Sequence, residues 1–170
     1  MKKMLMSGIM VFTIFCGISA LAGNKLKLGD AAPEVSVKMI NEKEYGKTFS
    51  LAEFKDKVVV LEFWATWCPP CRQSIPHLSK LQEKYKDKAV VIGISGEDRD
   101  VVEKFFKEQK EMKYRVAIDD INKTSGIYMT GFGVNGIPHA FIIKDGKIIW
   151  HGHPMEMDEN LAKAVGNEKK

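Results

Sequence analysis

Residues 58–71 read VVVLEFWATWCPPC, and how this stretch is read decides the fold. Its first seven residues, Val58 to Trp64, are mostly apolar, β-branched or aromatic, as in a strand covered on both faces. Cys68 and Cys71 follow, separated only by Pro69 and Pro70. Beyond them Ile75, Leu78 and Leu81 recur at helical spacing, which predicts a helix from about Pro70 to Tyr85. Pro76 falls inside that helix, has no N–H to donate, and is expected to kink it. A C-x-x-C pair between a strand and a helix is the pattern of a redox dithiol. The helix N-terminus lowers the pKa of the first thiol through its partial positive charge and free N–H groups. Cys68 is therefore expected to be the exposed nucleophile that attacks a partner disulfide. Cys71, one turn inside, is expected to be shielded and to resolve the mixed disulfide. An inert structural bridge is a poor alternative, because closing so short a loop gains little chain entropy.

Glu62 is the anomaly in the apolar run. A carboxylate in a doubly covered strand is costly, so the group is expected to stay protonated through an upward pKa shift. A buried acid so close to a dithiol in sequence is a candidate for acid–base work. The plainer alternative is a strand end that reaches water.

Outward from the motif, strands alternate with helices. "KLGDAAPEVSVKMI" predicts a loop and a strand, and "KTFSLAEFKDK" a short strand with a helical turn. After the dithiol helix, "AVVIGIS" is a second buried-type strand, "DRDVVEKFFKEQK" an amphipathic helix started by Asp98 or Asp100, and "YRVAID" a shorter strand. "INKTSGIYMTGFGV" reads as a helical segment ended by its glycines. "HAFIIKDGKIIWHG" is a hairpin turning at Asp145-Gly146, and a last helix spans about Met157 to Val165. This order implies a mixed sheet covered on both faces. Crossover geometry places Cys68 at the carboxyl end of a central strand, where open α/β sheets put their sites.

The 170 residues, 45% of them hydrophobic, suit one globular domain. The first 22 are set apart: a basic "MKK", an apolar stretch, and Ala20-Leu21-Ala22 as a small-x-small cleavage pattern. That is the layout of a secretory signal peptide, with an uncleaved N-terminal membrane anchor as the rival reading. Bulky Phe15 directly before Cys16 argues against lipoprotein processing there. Removing Lys2 and Lys3 takes the net charge from +4 to +2 and leaves Cys68 and Cys71 as the remaining cysteines. So small a charge gives no footprint for nucleic acid, and "KLQEKYKDK" is a solvated helix face. The domain, residues 23–170, is expected in the periplasm or another exported compartment.

Together these residues resemble the thioredoxin superfamily, and within it the exported TlpA/ResA-like thiol-disulfide oxidoreductases. "VVVLEFWATWCPPC" is similar to the active-site strand and motif, "LGDAAPEVSV" precedes it as in those proteins, and "GVNGIPHAFIIKDGKIIWHG" follows at matching separation. The similarity runs from about Leu28 to the end of the chain. It implies an α/β, thioredoxin-like fold with a mixed central sheet, helices on both faces and an N-terminal extension. It implies a Cys68–Cys71 redox-active disulfide, no cofactor, and a docking surface of Trp67, Pro69, Pro70, Ile137 and Pro138. The Ile137–Pro138 bond is expected to be cis on this resemblance alone, because a proline there also reads as an ordinary trans strand-starter. Thioredoxin-like proteins carry a proton-relaying acid at the position of Glu62, whereas many TlpA-type relatives are neutral there. The implied partners are protein disulfides, with apocytochrome c and misoxidised proteins as client classes, and a membrane thiol-disulfide electron donor. A monomer is expected.

Other candidates carry less. Trp64 reads as core and His139 as a hydrogen-bonded strand-edge residue. His151, His153, Met155 and Met157 alternate and form a copper-compatible donor set, but Pro154 breaks the strand between them, and a solvated strand end is the simpler reading. A copper chaperone using the two cysteines and a histidine is one rival function; the corresponding carriers have three residues between their cysteines. Peroxide reduction is another, prompted by "LGDAAPEV". It wants Thr or Ser three residues before the nucleophile, where this chain has Ala65.

Overall fold

The β-branched runs become the central strands, as their composition requires. The computed structural model of the chain describes residues 25–40, 46–119 and 122–166; the proposed signal segment lies outside them. Strands β1 (Val37–Met39), β2 (Thr48–Phe49), β3 (Val58–Phe63), β4 (Ala89–Ser95), β5 (Arg115–Ile118), β6 (His139–Lys144) and β7 (Lys147–Gly152) form one sheet. Their order is β2-β1-β5-β4-β3-β6-β7. The β3–β4 and β4–β5 pairs are parallel and the others antiparallel. All residues of β3 and β4 are buried, as expected of strands with both faces covered.

Alternation along β3 sorts its side chains between two cores. Val58, Val60 and Trp64 face helices α1 (Pro69–Lys84), α2 (Arg99–Glu108) and α4 (Asp158–Ala164), through Ile75, Leu78, Val102 and Leu161. Val59, Leu61 and Phe63 face the opposite side, with Tyr128, Phe141 and Val35. Helix α1 runs through Pro76. An interior proline costs a helix about 3 kcal/mol, but burying Ile75, Leu78 and Leu81 contributes roughly 1.5–3 kcal/mol each, so docking outweighs the defect. The His77 Nε2 atom lies 2.7 Å from Asp158 Oδ1, linking α1 to α4.

The hairpin turns at Asp145 and Gly146, both with positive φ, the conformation a two-residue turn between twisted strands demands. The N-terminal extension runs along β7: Gly29 N–H donates to Ile148 O (2.8 Å) and Ile148 N–H to Asp30 O (3.0 Å). It thereby covers an edge that would otherwise be open to pairing. Where a plain helical segment was expected, α3 (Lys123–Ser125) passes into a wider π-turn, Gly126–Thr130. Val134 N–H closes it onto Met129 O at 2.8 Å, and Tyr128 within it donates its hydroxyl to Pro33 O at 2.6 Å. No helix among the described residues is long and apolar enough to cross a membrane.

Candidate active site

The chain leaves the carboxyl end of β3 through a tight turn, Ala65 to Cys68, closed by Cys68 N–H donating to Ala65 O at 3.2 Å. Cys68 then caps α1 and Pro69 occupies its first position, where a missing N–H costs nothing because it would be an orphan anyway. Cys68 and Cys71 are joined as a disulfide with Cα atoms 5.3 Å apart. The Cys71 N–H donates to Cys68 Sγ at 3.3 Å. Pro69 and Pro70 offer no further donor, and both are exposed.

Facing the disulfide is the loop before β6. Its Ile137–Pro138 bond is cis, and Ile137 O lies 3.8 Å from Cys68 Sγ. Pro138 is buried and Ile137 half-buried. A shallow groove of about 310 Å³ borders this loop, lined by Asn122, Ser125, Met129, Val134 and Ile137 among others. Trp67, the residue before Cys68, is 69% exposed, more than any other large apolar residue described. Cys68 was expected to be exposed; in the disulfide form it is only 3% accessible and Cys71 1%. The bridge turns its sulfur inward, between α1 and the cis-proline loop.

Glu62 does not reach water. It is fully buried, and the alternation of β3 puts its side chain on the α1 face, between Val60 and Trp64. Its partners across the sheet are Gly93 and Ala140. Neither carboxyl oxygen has a hydrogen-bond partner among the described residues, and burial pushes its pKa up from 4.5 to about 8. Over Gly93 the rings of Trp64 and Tyr114 close in, so that a Cβ there would stand 2.9 Å from Trp64 Nε1 and 3.0 Å from Tyr114 Cε2. The Tyr114 hydroxyl is held well above its ordinary pKa by burial and then by the neighbouring Glu62.

The copper-compatible set does not converge. Met157 is fully buried in the α1-side core, while Met155 is exposed. His153 caps the turn Pro154–Glu156 by accepting from Met155 N–H. His151 instead packs among Phe132 and Phe141, on the other face. Its Nδ1 lies 3.0 Å from Nε2 of His139, so His139 has a partner, although its strand is inside the sheet and not at the edge. Burial, then the two neighbouring histidines, lower the His139 pKa to about 4. Among the described residues no three His, Cys, Asp or Glu side chains group to hold a metal ion.

Sequence reasoning passed over two features of the site. Gly93, inside an apolar strand, reads as a packing residue and nothing more. Glu97, just past β4, accepts from both the N–H and the hydroxyl of Thr66 (2.6 and 2.7 Å); with the partners 31 positions apart in the chain, no local pattern announces the contact.

Comparison with known proteins follows the same lines. Residues 28–151 match the AhpC/TSA family. The chain is 36% identical over 148 residues to the thiol-disulfide oxidoreductase ResA of Bacillus thuringiensis (strain Al Hakam), covering 86% of this chain and 80% of that protein. Among solved structures it is similar to a thiol:disulfide interchange protein from Bacteroides sp., with a TM-score of 0.71, 25% identity, and coverage of 86% and 95% of the two chains. It is likewise similar to a thiol:disulfide interchange protein of the thioredoxin family from Chlorobium tepidum TLS, with a TM-score of 0.63, 28% identity, and 82% and 99% coverage.

Proposed function

The chain belongs to the AhpC/TSA family and is a thiol-disulfide oxidoreductase of thioredoxin-like fold, and from that premise we propose that it reduces protein disulfides in an exported compartment. The observation that carries the reading is the Cys68–Cys71 disulfide at the start of α1, facing the Ile137–Pro138 loop, with a fully buried acid on the same face of the sheet.

In the reduced enzyme the Cys68 thiolate attacks one sulfur of a client disulfide. A Cys68–client S–S bond forms, the client S–S bond breaks, and the other client sulfur leaves as a thiolate. Ionised Glu62 takes the proton from the Cys71 thiol. The Cys71 thiolate then attacks Cys68 Sγ, which breaks the mixed disulfide and releases the second client thiolate. The client has gained two electrons, the enzyme holds the Cys68–Cys71 disulfide, and the proton on Glu62 passes on to the released thiolate. On this reading a membrane thiol-disulfide donor restores the reduced enzyme. Trp67, Pro69, Pro70 and Ile137 form the docking surface, and Pro138, expected to belong to it, is buried behind Ile137. The exposure of Trp67 supports this, since tryptophan is a common anchor for partners, and so does the groove bordering Ile137. The client is a cysteine pair oxidised after export, with apocytochrome c one candidate. Peroxide reduction is less well supported, because Ala65 supplies no hydroxyl beside the dithiol.

Trapping tests the assignment. Cys68→Ala should abolish exchange, and Cys71→Ser should attack but stall as a mixed disulfide, which identifies the client by mass spectrometry. If iodoacetamide labelled Cys71 of the reduced protein faster than Cys68 near neutral pH, the roles would be reversed.

A further inference from the structure

Three hydrogen bonds meet on the carboxylate of Glu97. The Thr66 N–H donates to Oε2 at 2.6 Å, the Thr66 hydroxyl to Oε1 at 2.7 Å, and the Ser95 hydroxyl to Oε2 at 3.0 Å. Thr66 is the second residue of the turn that carries Trp67 and ends at Cys68, so the acid grips the turn two residues before the sulfur. The gripping side is itself held. Glu97 N–H donates to Ser95 Oγ at 3.2 Å, and the Asn122 side chain lies directly on Gly96, where a Cβ would stand 1.9 Å from Oδ1. Ser95, by contrast with the turn, is part of β4 and fully buried.

We propose that Glu97 is a positioning residue: its carboxylate clamps the Ala65–Cys68 turn so that Trp67 and Cys68 meet a protein disulfide in one arrangement. The inference rests on the dithiol being the reacting centre, and adds to it a residue from another strand. The turn is otherwise closed by one long hydrogen bond, Cys68 N–H to Ala65 O. The Glu97 carboxylate adds two short hydrogen bonds, and both converge on a single residue of a four-residue turn. Without the clamp, the turn and its exposed indole would have to be ordered on each encounter with a client, and that ordering is subtracted from affinity. A small reagent that needs only the sulfur, and no docking surface, would not notice the difference.

Glutamine separates the clamp from the charge. Its carbonyl oxygen can accept from the Thr66 N–H and the Ser95 hydroxyl, and its amide can donate to Thr66 Oγ1, so the geometry survives without the ionised group; alanine removes both. The test uses the full chain with insulin as the protein disulfide and iodoacetamide as the small probe of reduced Cys68. Glu97→Ala should raise KM for insulin about tenfold while its alkylation rate stays within about twofold of wild type. Glu97→Gln should restore KM to within about twofold. Thr66→Val, which loses only the hydroxyl half of the clamp, should raise KM about threefold and decides the matter if the alanine variant does not fold. An unchanged KM in Glu97→Ala and Thr66→Val would overturn the proposal. So would a Glu97→Gln protein as impaired as Glu97→Ala, which would make the charge and not the clamp responsible, or an alkylation rate that falls in step with insulin reduction. A wild-type chain that failed to reduce insulin would overturn the proposed function as well, whereas failure confined to the variants would remove only the role of Glu97.

Discussion

Glu62→Gln should change how stability depends on pH, and the structure sets both sign and size. The folded protein holds this carboxyl at about 8, against an ordinary value of 4.5, because burial removes the ionised form from water. Between those two pH values the folded state therefore binds a proton that the unfolded chain has released. Stability falls with pH wherever the folded state binds more protons. The contribution is complete below about 4.5 and is lost as pH rises through about 8. At 1.36 kcal/mol for each tenfold change, a displacement from 4.5 to about 8 corresponds to on the order of 5 kcal/mol. That is an upper bound, since the interior relaxes around a charge and admits water. It remains large beside the 5–15 kcal/mol typical of a domain. Glutamine is neutral at every pH and nearly the same shape, so the variant should lack this slope. Urea unfolding of the disulfide form, in which neither cysteine titrates, would measure it from pH 5 to 9. Wild type should lose several kcal/mol over that range relative to the variant, with the two most alike at pH 5. Parallel curves would refute the reasoning, for they would mean that Glu62 ionises in the fold as easily as in water. The same titration bears on catalysis: if ionised Glu62 accepts the Cys71 proton, resolution of the mixed disulfide should quicken as pH rises towards 8 in wild type and lose that limb in the variant.

Two further outcomes follow from the surroundings of the dithiol. The spacer Pro69-Pro70 leaves the Cys71 N–H as the motif's single donor to Cys68 Sγ, so the thiolate is modestly stabilised and the disulfide favoured. Equilibration of the chain with glutathione should give a potential closer to the ~−270 mV of thioredoxin than to the ~−120 mV of a strong oxidant, and a value near the latter would reverse the proposed direction. Gly93→Ala should destabilise the fold by about 1–3 kcal/mol, because its Cβ would meet Trp64 and Tyr114 at 2.9 and 3.0 Å; an unchanged urea midpoint would show that the two rings yield freely.

Much of this was legible in the sequence because it is written in neighbouring residues. The β-branched runs VVVLEF and AVVIGIS could be little else than covered strands, and both are buried along their whole length. The dithiol, its helix and the Asp145-Gly146 turn are likewise local patterns, in which spacing alone fixes which side chains share a face. Even the peculiarity of Glu62 was visible, as a charge amid apolar residues. The π-turn at Gly126–Thr130 was not, since helical periodicity does not distinguish its wider hydrogen bonding from an α-helix.

What tertiary structure alone decided are meetings between segments far apart in the chain. Alternation within "HGHPMEM" placed four metal-compatible donors on one side, but the chain turns at Pro154, sending Met157 into the α1-side core and leaving His151 to pair with His139 across the hairpin. Glu62 lies between Gly93 and Ala140, one from each neighbouring strand, and Thr66 owes its clamp to an acid beyond the end of β4. Periodicity reports the face on which a residue lies; what stands opposite that face depends on strand order and register, which are set by the packing of the whole sheet.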